Sequence, residues 1–140
     1  MSDGRDIDFD EEILRPVLES GVSLCQLVSH EWERVDGALI TASLRMNRAL
    51  YKWSGALRLQ RWNNTTSQFD VVDEMMPVEL MEWFRSLEES SLLLMEDGHL
   101  LLDQNNAERA FIVWWLREMA RMPKHQQKCF VFGSVHPTVP

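Results

Sequence analysis

The chain has 140 residues, 45% of them hydrophobic and 26% charged, and carries a formal net charge of −8. A chain of this length suits one domain with its own core, and this composition excludes wholesale disorder. The acidity argues against a free-standing DNA-binding domain, whose footprint is basic.

Residues 1–9 read as a flexible acidic N-terminus with no basic-then-apolar leader pattern. Asp10, Glu11 and Glu12 ahead of Ile13 and Leu14 predict a helix start, with acids placed against the positive helix end. Pro16 interrupts, so this first element is short and ends near Gly21, and Ser20 or Ser23 caps the next.

From Val22 to Trp62 the apolar spacing is helical. Leu24, Val28, Trp32, Val35, Leu39, Ala42, Met46, Leu50, Trp53 and Leu57 follow one another at steps of three or four. That pattern predicts one long central amphipathic helix, or two stacked ones divided at Asp36-Gly37. Within it, residues 44–62 hold five basic and three aromatic side chains and no acid. On a helix, Arg45, Arg48 and Lys52 form a stripe, and Arg58 and Arg61 repeat the spacing. Such a basic face suits phosphates, anionic membranes, acidic proteins or the chain's own acids.

Asn63 to Ser67 is a polar turn cluster, and 63–69 marks a seam. Pro77 opens a helix with Glu79 and Glu82 in its first turns and Val78, Met81 and Phe84 on its apolar face. Asp97-Gly98 lies between two short apolar runs, which favours a β-hairpin over a helix running to Gly98 and predicts positive φ at Gly98. Asn105 or Asn106 caps a last helix that Pro123 stops, with Ala110, Val113 and Trp114 tracing its faces. Cys129–Phe132 adds one strand to the hairpin. Residues 134–140 form an extended tail.

The predicted fold is therefore mainly α: a single-domain helical bundle over 10–133, with a long central amphipathic helix and a small C-terminal β-hairpin.

The chain offers little for chemistry. His30, His99, His125 and His136 with Cys25 and Cys129 show no metal-ligand spacing, and no disulfide framework is visible. No phosphate loop and no nucleophile elbow occurs among only six glycines. The acid pairs Asp73-Glu74, Glu88-Glu89 and Glu96-Asp97 read as solvated rather than catalytic. No catalytic residue, cofactor or metal is assigned, and an enzyme is disfavoured. No run approaches the ~20 apolar residues of a membrane span, and the cysteine usage points to the cytoplasm. Six Trp and eight Met, beyond filling a core, suit an adaptable surface. The expected function is a non-enzymatic adaptor, chaperone or inhibitor that holds a protein partner through a helical surface, using Arg45, Arg48, Lys52, Arg58 and Arg61. The alternative is a small structural subunit of a nucleic-acid complex, with the same stripe on phosphates.

Overall fold

The computed structural model describes residues 15–20, 22–29, 31–54, 58–121 and 128–134. Along them run α1 (Arg15–Glu19), β1 (Leu24–Val28), α2 (Trp32–Met46), β2 (Ala49–Trp53), β3 (Arg58–Asn63) and β4 (Gln68–Glu74). Then follow α3 (Pro77–Ser86), β5 (Ser91–Met95), α4 (Gly98–Leu101), α5 (Arg109–Ala120) and β6 (Lys128–Ser134).

The strands form one six-stranded sheet in the order β1-β6-β5-β2-β3-β4. The first four are parallel, and β3 and β4 extend the sheet as an antiparallel hairpin. Every residue of β5 and β6 is buried. Alternate side chains on these strands therefore serve two cores. Leu93, Met95, Phe130 and Phe132 meet α3 and α5 on one face. Leu92, Leu94, Cys129 and Val131 meet α1 and α2 on the other. Parallel strands covered on both faces read as continuous apolar runs, because neither face is wet.

This mixed α/β sandwich corrects the predicted helical bundle. Of the long central helix only α2 is found among the described residues, with Val35, Leu39 and Ala42 buried on one stripe as expected, and Leu57 lies outside them. Leu24 and Val28 lie on β1, and Leu50 and Trp53 on β2. Leu39 and Trp53 even belong to opposite cores. The helix stops at Asn47, which adopts the left-handed conformation at φ 53°. The Asn47 N–H donates to the Leu44 carbonyl, and Arg48 N–H donates to Ser43 O at 2.9 Å. Asparagine tolerates that geometry better than most residues, so it serves as the stop.

The expected C-terminal hairpin is also replaced. Its first arm is β5, but Gly98 begins the short helix α4, and β6 lies parallel between β1 and β5. Gly98 is needed for room, not for positive φ: a Cβ there would come 2.5 Å from the Phe132 ring. Helix α3 starts at Pro77 as predicted and buries Leu80, Met81 and Phe84. Helix α5 is rotated from its expected faces, burying Ile112, Trp115, Leu116 and Met119 while Trp114 is 47% exposed. At the amino end of the sheet, the buried Lys128 Nζ donates to the carbonyls of Phe84, Arg85 and Leu87 at 2.8–2.9 Å. A cation there complements the negative end of α3 and satisfies its orphan carbonyls. The flexible N-terminus, the helix start at 10–14, the stop at Pro123 and tail residues 135–140 lie outside the described residues.

Leu39 is fully buried. Leu39→Ala should cost about 2–4 kcal/mol, through lost transfer energy and the cavity left under α2. Chemical denaturation checks this, and a loss below about 1 kcal/mol would mean that α2 is not seated on the sheet.

Candidate functional site

Open α/β sheets bind ligands beyond the carboxyl ends of their parallel strands. In this chain that end gathers the β1–α2 junction, the residues after β5, the end of β6, and the first turns of α3 and α5.

The β1–α2 junction has the strand–loop–helix order in which phosphate loops occur. Only Ser29 to Glu31 separate the two elements. Ser29 N–H donates to Ser134 O at 3.0 Å, and Glu31 N–H donates to Ser29 Oγ at 3.0 Å. Trp32 lies against Gly133: a Cβ on that glycine would stand 2.7 Å from the indole. The indole thus occupies the notch that β6 leaves open by lacking a side chain.

Beside it, α2, β2 and β5 bring together Asp36, Lys52 and Glu96. Lys52 Nζ lies 2.9 Å from Asp36 Oδ2 and 3.7 Å from Glu96 Oε1, and 4.1 Å over the Phe69 ring. All three charged side chains are mostly buried. Asp36 Oδ1 is buried with no hydrogen-bond partner among the described residues. Burial pushes the Glu96 carboxyl above its ordinary range; Lys52 opposes this, and Asp36 and Asp97 add to it. Burial wins because Lys52 is closer to Asp36 than to Glu96.

On the other face of the sheet, a cleft of about 260 Å³ opens between the end of β2 and the starts of α3, α4 and α5. Trp53, Pro77 and Leu101 give it apolar walls, and Asp97 and Glu108 give it charge.

The expected basic stripe does not form on one helix. Arg45 ends α2, Arg48 follows its stop, Lys52 lies on β2, and Arg58 and Arg61 lie on β3. Arg61 pairs with Glu89 at 3.0 Å and donates to Tyr51 Oη at 2.9 Å. Tyr51 in turn donates to Glu89 Oε1 at 2.6 Å, and burial first, then Glu89, pushes its pKa up to about 12. Cys25 and Cys129 are free thiols on neighbouring strands, and burial lifts Cys129 to about 12, away from nucleophilic use. Among the described residues no group of three or more His, Cys, Asp or Glu is placed to hold a metal ion. No helix there is long and apolar enough to cross a membrane. His30, His125 and His136 lie outside the described residues.

Residues 9–140 match the family model for the N-terminal domain of SpoVK-like AAA ATPases. The chain belongs to that family. No curated protein and no solved structure matches it. Membership points to an ATPase-associated protein. It overturns the expected free-standing adaptor, chaperone or inhibitor with a helical surface, and with it the nucleic-acid subunit.

An ATPase association raises the question of nucleotide, and the residues at the β1–α2 junction do not fit one. A phosphate cradle uses a glycine-rich loop of free backbone N–H groups and a lysine reaching the phosphates. Here the loop has no glycine or lysine, Glu31 and Glu33 add negative charge, and the Ser29 and Glu31 N–H groups are taken. Lys52 is held between two carboxylates.

Sequence reading missed Trp32, Asp36, Glu96 and Glu108 as members of one end of the sheet. The usable signal was the pair Glu96-Asp97 directly after the apolar run Leu92–Met95, where a buried parallel strand meets its carboxyl-end loop.

A carboxyl that holds its proton more tightly when folded stabilises the fold at low pH, and that contribution is lost as pH rises through the folded pKa. Glu96 is raised from 4.5, so the wild type should lose stability from there toward neutrality. Glu96→Gln should flatten that decline in denaturant titrations across the range. Equal slopes in the two proteins would remove Glu96 as the titrating group.

Proposed function

We propose that this chain is a partner-engaging N-terminal domain of an AAA ATPase, and that it leaves nucleotide binding and hydrolysis to another part of that ATPase. The observation that carries the reading is Trp32 seated against Gly133, at the strand–helix junction where a phosphate would be cradled. The family supports the link to an ATPase. The cleft on the opposite face supports a surface for a protein partner, because it combines apolar walls with two carboxylates.

The reading makes a direct prediction. The 140-residue chain should show no binding of Mg-ATP or ADP by calorimetry at about 1 mM nucleotide. Trp32→Ala should lower stability by about 1–3 kcal/mol, since it empties a packed notch. It should still not confer nucleotide binding, because the loop lacks both glycines and lysine. Saturable ATP binding with a Kd below about 100 µM, by either protein, would overturn the proposal.

A further inference from the structure

The cleft beside α5 contains a carboxylate without a job. Glu108 occupies the N-cap position of α5 but makes no capping hydrogen bond with its side chain. Glu108 Oε2 is buried and has no hydrogen-bond partner among the described residues. Its neighbours are spent elsewhere. Asn106 Nδ2 donates to Leu101 O at 2.7 Å, and Asn106 Oδ1 accepts from Glu108 N–H at 3.2 Å. Arg109 Nε donates to Leu102 O at 2.8 Å. A buried carboxylate oxygen with no donor is costly, and Glu108 lines the cleft, so positive charge entering there would offset part of that cost.

The cleft defines that charge. Among the described residues Asp97 and Glu108 are its only charged lining residues, and both are acidic. An anion is excluded by those charges and by the start of α3, where Pro77 has no N–H and Met76 N–H donates to Glu79 Oε1 at 3.3 Å. Two carboxylates are too few for a structural metal. The volume, about 260 Å³, is below the 300–1,000 Å³ of sites for drug-sized ligands, and suits one long side chain. The walls are apolar, and Met76 and Leu100 at the cleft are 47% and 57% exposed. An alkyl stem ending in a cation matches that lining.

We infer that this cleft takes the arginine or lysine side chain of an extended peptide segment from the ATPase's protein partner, its stem against Trp53 and Leu101 and its charged head on Glu108 and Asp97. The inference rests on the partner-engaging reading above and specifies the chemistry of the partner.

The test is an amide-resonance titration of the 140-residue chain with acetyl-Ala-Leu-Arg-Leu-Ala-amide. A second peptide carries citrulline, an uncharged isostere, in place of arginine. The arginine peptide should move the Leu100, Leu101 and Glu108 amides saturably, and the citrulline peptide should bind about tenfold more weakly. Glu108→Gln should weaken the arginine peptide by a similar factor, while Glu33→Gln, exposed on α2 across the sheet, should not. The citrulline comparison needs no variant, so it decides the matter even if Glu108→Gln fails to fold. Equal affinity of the two peptides, no effect of Glu108→Gln in a folded variant, or no cleft resonance moved at about 5 mM would overturn the inference. ATP is titrated into the same sample: ATP binding defeats the functional reading, whereas silence from both ATP and peptide defeats only the peptide site.

Discussion

Phe130 and Phe132 leave β6 on one side, and Cys129 and Val131 leave it on the other, with β5 repeating the arrangement beside it. A strand buried on both faces cannot border water, so helices must cover both sides of the sheet. Parallel neighbours need long crossovers, and those crossovers are α2 on one face and α3 and α5 on the other. Their loops then converge at the carboxyl end of the sheet. The location of the candidate site is a consequence of how two strands are buried.

Two glycines tighten that end. Gly98 lets the Phe132 ring lie against the start of α4, and Gly133 lets the Trp32 indole lie against β6. In each case the missing Cβ is filled by an aromatic ring from another element. Dispersion contacts fall off steeply with small gaps, so such close approaches fix the start of α2, which bears Asp36, and the loop that bears Glu96 and Asp97. The same closeness removes the space that a phosphate would need. Close packing and the poor fit for a phosphate at the β1–α2 junction have one cause.

The helical parts of the fold were legible where one face is wet. Val35, Leu39 and Ala42 show the stripe of α2, and Pro77 shows the start of α3, because each helix alternates core with solvent. The strands were not legible for the opposite reason. Residues of β1, β2, β5 and β6 are apolar in runs, and a run satisfies helical and strand spacing alike. Trp32 to Leu57 therefore continued a pattern that Asn47 had already ended. The site was harder still. Its residues come from α2, β2, β5, α4 and α5, and only the sheet order makes them neighbours. Charge was readable as blocks, but not as contacts.

Those blocks explain the basic stretch in an acidic chain. Strands β2 and β3 carry Lys52, Arg58 and Arg61 of that basic stretch, and the fold sets acids against each of them. Arg58 stands opposite Glu74 and Arg61 opposite Asp70 on β4, and cross-strand pairs of opposite charge are favourable. Arg61 also reaches Glu89, and Lys52 reaches Asp36 and Glu96. The exposed pairs of Arg58 and Arg61 add little to stability but oppose slipped registers, in which like charges would meet. The compensation does not extend past Glu96. Among the described residues, Asp97 and Glu108 line a cleft with no basic residue in its wall, and the nearby Arg109 is turned to a backbone carbonyl. Where the sheet's own cations end, two carboxylates line the cleft with no basic residue beside them among the described residues, and the proposed cationic side chain would answer that imbalance.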